Sequence, residues 1–277
     1  MHFSSSTPTA PHSDGLAHAC APGVTRPGAS PATQQRDGLC GPFCLARVLA
    51  EEGRTTWNGE PIDQDLLAAR AGTTLSREPD GCPVPPGATH DVAYRFPLAT
   101  AAPEASGTTA EALAAVAEEV SGGALRSVAL RGPWTAESVV ALVAACGETP
   151  GTHLIANLQT GLLWGSRPDP DLARAELMGV PCDGPPPDWD VGHFVQLRLL
   201  LRGPGGPLVW VHDSYPTLGI GGSHLQPPRA LAGALERTDG RAGGILAVGA
   251  PTAIERLGAA AAAAGVVEGF WDNGTRS

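Results

Sequence analysis

Apolar residues along this 277-residue chain fall into segments of two periodicities, separated by runs of glycine and proline. Cys40–Gly53 (CGPFCLARVLAEEG) reads as a helix: Leu45, Val48 and Leu49 form a stripe, Pro42 suits the first turn, and Gly53 offers a left-handed stop. Asp63 is placed to cap a short helix over Gln64–Ala71, and Thr108 or Thr109 one that runs through Val120. Thr135 caps a further helix ending near Gly147, Pro227–Arg237 reads as another, and the Ala-rich tail from Ile254 to Val267 as a last one. Strand patterns cover Leu125–Leu130, Thr152–Leu158, Gly192–Leu201, Pro207–Asp213 and Gly244–Val248. The third and fourth of these flank the turn Arg202–Gly206, which predicts a hairpin.

Two stretches carry no sustained period. Thr73–Gly107 is rich in proline and glycine, and 161–187 holds only a short helical pattern near Leu172–Leu177. Residues 1–33, rich in Ser, Thr, Pro, Gly and Ala, read as a flexible arm preceding one domain over 34–277. Helices come early and hairpin strands late, which points to an α+β fold around an antiparallel sheet.

Composition narrows the function. With 36 glycines and 27 prolines the chain is rich in breakers, yet 42% of it is hydrophobic, enough for a packed core. The net charge is −10 and all 18 basic residues are arginine, a usage typical of GC-rich bacterial codons. An acidic chain with no basic tract is not expected to bind nucleic acid or an anionic membrane. No segment has the roughly 20 apolar residues of a membrane span, and the first 30 residues lack a secretory pattern, so a cytoplasmic protein is expected. Six scattered cysteines (Cys20, Cys40, Cys44, Cys82, Cys146, Cys182) do not make a disulfide framework and read as free thiols.

The most informative cluster is Gln34 followed by Cys40-Gly41-Pro42-Phe43-Cys44 at a helix start. There a cysteine meets unpaired backbone N–H groups and the positive end of the helix dipole, both of which favour the nucleophilic thiolate. The Gln34 amide and the Cys40 N–H would form a two-donor hole for an oxyanion. A nucleophile needs a base and the base an orienter. His193 opens one hairpin strand and Asp213 closes the other, so folding the hairpin brings imidazole and carboxylate to one end of the sheet. Cys44, one turn further on, is expected in the core. His212 is the competing base, but its side chain points away from the face used by Asp213.

This order of Gln, helix-start Cys, strand His and following Asp resembles the papain-like cysteine peptidases. Within them it is most similar to the bacteriocin-processing peptidases that cut after double-glycine leaders, which also begin a helix with Cys-Gly-x-x-Cys-Leu. The likeness covers about a quarter of the chain, roughly residues 34–53 and 190–235, and the whole chain also resembles an uncharacterised family of high-GC bacterial proteins. It implies Cys40 as nucleophile, His193 as base, Asp213 as orienter, Gln34 as oxyanion donor, and a peptide or protein substrate. The 153 positions from Cys40 to His193 exceed what a minimal leader peptidase uses, so substrate recognition is expected to differ.

Two other readings share the scaffold: a tailoring enzyme of ribosomally made peptides, in which His193 activates a substrate thiol for thioether formation, and a peptide-binding module without catalysis. Candidate substrate contacts are Trp189 with its neighbour Asp190, Asn157 after an apolar strand, and the indole–guanidinium pair Trp164 and Arg167. Gly219–Gln226 (GIGGSHLQ) has the glycines of a phosphate cradle without the Lys-[Ser/Thr] that nucleotide binding needs. Cys40-x3-Cys44 with His193 or His212 matches no metal-site spacing, so neither a metal nor another cofactor is expected. Nothing in the pattern fixes the oligomeric state.

Overall fold

The computed structural model describes residues 33–78 and 81–275. Apart from Thr33, the expected arm lies outside the described residues. Seven strands form the main sheet: β1 (Arg126–Arg131), β2 (Thr152–Gln159), β3 (Gly192–Gly203), β4 (Gly206–His212), β5 (Ser223–Gln226), β6 (Gly244–Gly249) and β7 (Val267–Glu268). Their order is β7-β1-β6-β2-β3-β4-β5, and every neighbouring pair is antiparallel.

Both faces of the sheet are covered. One packs against α1 (Cys40–Glu51), α2 (Gln64–Arg70) and α3 (Ala110–Val120), the other against α4 (Ala136–Glu148), α6 (Pro228–Glu236) and α7 (Pro251–Ala263); α5 (Pro170–Leu177) lies beside β4. Alternation within a strand builds the two cores at once. On β6, Ile245 and Ala247 join the α4/α6/α7 core while Leu246 and Val248 join that of α1 and α3. The fold is α+β with an antiparallel sheet, as the patterning predicts.

Helix starts are set by the expected caps. Asp63 accepts from the Leu66 N–H, Thr109 from that of Ala112, and Thr135 closes a capping box with Ser138. α1 has no side-chain cap. It is seated instead by packing: Leu45, Val48 and Leu49 are fully buried, and Gly41 lets its first turn approach β3. A Cβ at Gly41 would stand 2.9 Å from Leu113 Cδ1 and 3.3 Å from the Phe194 ring.

Several features escape the pattern. Glycines at 219, 221 and 222 have positive φ and make the turn that feeds β5, so GIGGSHLQ ends in a strand. The two-residue β7 is too short to register. Within the irregular segment after α2, Thr74–Ser76 pairs in parallel with Ala99–Ala101. The β3–β4 hairpin holds a bulge: the register shifts between Leu197 and Leu199, and Arg198 leaves the ladder to reach Glu51 at 2.7 Å. No helix among the described residues is long and apolar enough to cross a membrane.

Candidate active site

The two ends of the β3–β4 hairpin differ: the turn is exposed, while the open end, where β3 begins and β4 finishes, is buried beneath α1. His193, the second residue of β3, and Asp213, just past β4, have side chains only 2% exposed, and Nε2 of the imidazole lies 3.2 Å from Asp213 Oδ1. That oxygen also accepts from the Tyr215 N–H at 3.0 Å, which fixes the carboxylate. Cys40, the first residue of α1, is partly exposed and lines the same cavity as His193, near enough to help raise the pKa of the ring. With Nε2 given to Asp213, Nδ1 is the ring atom left for the thiol.

Burial opposes charging His193, but the adjacent carboxylate and the Cys40 sulfur outweigh it, so the pKa of the ring is raised well above its usual value. Burial likewise works against an ionised Asp213, and the facing imidazole reverses the sign, holding the carboxyl below its ordinary range. Both shifts run in the direction that favours an imidazolium–carboxylate pair. Trp189 meets the His193 ring edge-on at 5.0 Å and Tyr215 at 5.4 Å, screening the pair from water. Cys40, His193, Trp189 and Tyr215 all line one cavity of about 630 Å³, whose far wall comes from the irregular segment after α2 and from Asp239 and Arg241. That wall is tied to the chain before α1 through Asp37, which meets His90 Nδ1 at 2.6 Å and the Asp91 N–H at 3.1 Å.

Other sequence candidates lie elsewhere. Gln34 is corrected: its amide donates to the Thr89 carbonyl at 2.7 Å and it does not line the cavity. Gln35 lines it instead, buried, with Nε2 donating to Tyr215 Oη at 3.1 Å and Oε1 accepting from Ser214 at 2.5 Å. Of the five substrate candidates only Trp189 reaches the cavity. Asp190 accepts from Gln159 and the Gly161 N–H, stapling a loop. Buried Trp164 exchanges backbone hydrogen bonds with the Gln226 amide, and Arg167 donates to the carbonyls of Thr217 and Gly219. Asn157 accepts from Arg237 and Trp271 beneath the sheet. For Asp190, Arg167 and Asn157 other polar groups have claimed the side chain, and Trp164 is held by its backbone.

Cys44 is buried, its thiol facing the Phe194 carbonyl at 3.5 Å, and burial pushes its pKa up, as befits a core residue. His212 contacts Ser223 Oγ at 3.2 Å; burial, with Arg47 and Arg198 nearby, lowers its pKa to about 4. Cys82 is a cavity residue the sequence does not single out; burial, then Asp37 and Cys40, push its thiol up to about 12. Ser214 and Tyr215 carry no motif of their own, although the step of two from Asp213 to Tyr215 is a usable signal, since alternate residues of extended chain share a face. Among the described residues no group of three or more His, Cys, Asp or Glu side chains is arranged to hold a metal ion.

Comparison with known proteins gives a family and no activity. Neither the curated proteins nor the solved structures include a match to this chain. The model of a family of unknown function, DUF6885, matches residues 24–272. That match takes in both cores and every residue of the cavity, and the chain is a member of the DUF6885 family.

Proposed function

We propose that this protein is a cysteine-dependent enzyme of papain-like type that acts on a peptide or amide bond. The observation that carries the reading is the placement of Cys40, at the head of α1, against a buried imidazole that is itself held by a carboxylate, all opening on one cavity. Cys40 attacks the carbonyl carbon as thiolate, and the negative charge moves to the carbonyl oxygen. Unpaired first-turn N–H groups of α1, that of Cys40 foremost, receive this oxygen; Pro42 has none to give. His193 delivers its proton to the departing nitrogen as the C–N bond breaks, leaving a thioester on Cys40. Water, an amine or a thiol then attacks the thioester and gives its proton to His193, and the acyl group leaves Cys40. Asp213 keeps the ring in place throughout and stabilises its charge whenever it carries both protons.

The test is alkylation of the full chain by iodoacetamide across pH, with peptide mapping. Fast labelling of Cys40 at pH 6, lost in His193→Ala, is expected. Labelling of Cys40 no faster than that of a free cysteine overturns the reading. Turnover that survives Cys40→Ala but disappears in His193→Ala would instead assign the thioether-forming chemistry.

A further inference from the structure

Three buried polar groups behind the His193–Asp213 pair, Gln35, Ser214 and Tyr215, form a directed chain of hydrogen bonds. Gln35 Nε2 donates to Tyr215 Oη at 3.1 Å, so its Oε1 is turned toward Ser214. Ser214 Oγ has three neighbours: Gln35 Oε1 at 2.5 Å, His193 Nε2 at 3.3 Å and Asp213 Oδ1 at 3.4 Å. A hydroxyl has one proton, and the shortest contact, to a group that can only accept, takes it. What Ser214 presents to the ring is therefore a lone pair. Nε2 then faces two acceptors, Asp213 Oδ1 and Ser214 Oγ, and is satisfied only while it carries hydrogen.

We propose that Gln35 and Ser214 are positioning residues of this site: by holding the Ser214 proton, Gln35 keeps both oxygens around His193 Nε2 as acceptors and so keeps the ring protonated there. This rests on the reading of Cys40 and His193 as the working pair, and it gives Gln35 a different task from an oxyanion donor, since both ends of its amide are engaged. Without Gln35, the Ser214 hydroxyl turns its proton to Asp213 Oδ1 and competes with the imidazole for that oxygen. The titratable groups facing His193 are Cys40 from α1, Asp213 and Tyr215 after β4, and His224 from β5. Substitution at 35 or 214 removes none of these groups; position 35 also touches Tyr215 Oη, and the side chain of Gln35→Glu can still accept from that hydroxyl.

The test is a histidine-selective NMR titration of the full chain, with His153 and His212 as internal controls for folding. In Gln35→Leu the His193 pKa is expected to fall by about one unit, whereas Gln35→Glu, which still accepts from Ser214, holds it at or above the starting value. In a Ser214→Ala background, a milder change, Gln35→Leu is expected to cause no further fall, because the two residues act through one proton. An unmoved His193 in Gln35→Leu, or the same fall with and without Ser214, overturns the proposal. Slow alkylation of Cys40 with the titration behaving as expected would instead remove the enzymatic reading and leave the relay standing.

Discussion

α1 has a histidine–carboxylate cluster at each end, and the two differ in what surrounds them. At its start, His193 and Asp213 are almost wholly buried. At its finish, His153 of β2 lies between Glu51 at 3.3 Å and Glu52 at 2.8 Å, with Arg198 on Glu51; the ring is 12% exposed and the glutamates about 30%. Both rings are buried enough to resist charging, and in both the carboxylates win and raise the pKa. Only the first faces a thiol and a cavity. A perturbed histidine thus marks a site only together with a nucleophile and room for a substrate. The second cluster ties the end of α1 to the sheet and holds the helix whose other end carries Cys40.

This contrast can be broken by substitution, with the alkylation rate of Cys40 as a common measure. On the proposed mechanism, His193→Ala is expected to slow labelling at pH 6 about a hundredfold, because the group that would favour the Cys40 thiolate is gone. Asp213→Asn should cost about tenfold, and should lower turnover of any substrate by far more, as loss of an orienting carboxylate does elsewhere. Gly41→Val, which drives a side chain into Leu113 and Phe194 and lifts the first turn of α1 from β3, is expected to cost about 1–3 kcal/mol of stability by denaturant melt. His153→Gln at the opposite end should leave the labelling rate within about twofold and lower stability by about 1 kcal/mol or less, as expected of a partly exposed ion pair.

Acid and alkali should act on His193 and His212 differently. His193 has a folded pKa above its ordinary 6.5, so its contribution to stability is whole below that pH and is lost as pH rises through the folded value. His212 runs the other way: lowered from 6.5 to about 4, its contribution is present above 6.5 and lost as pH falls toward 4. Melting curves of His193→Gln and His212→Gln across pH should flatten the alkaline and acid limbs respectively. A chain whose alkaline limb is unchanged in His193→Gln has no raised His193.

Much of this was legible beforehand because it follows local rules. Caps at Asp63, Thr109 and Thr135, the stripe on α1 and the alternation of the hairpin strands need only neighbours in sequence, and Cys40, His193 and Asp213 sit at the ends of those elements. Gln34 and Gln35 precede α1 in irregular chain, where no period says which side chain turns inward; the tie of Gln34 to Thr89 decides it, 55 residues away. The chemistry of Asp190, Trp164, Arg167 and Asn157 suits substrate contacts, but partners 29 to 114 residues distant already hold them. The glycines of 219–222 obscured β5 because turn residues speak for a loop whatever comes next. Long-range satisfaction of polar groups is what a single sequence least reveals.

The bulge at Arg198 has a consequence for how length variation is tolerated. Leu197 opposes Val211 and Leu199 opposes Trp210, so the ladder already closes as though the residue between them were missing. A chain shortened by this one residue keeps the inward and outward sense of both strands and gives up only the reach to Glu51. Removing Val195 or Gln196 instead turns part of β3 inside out and swings the imidazole away from its thiol.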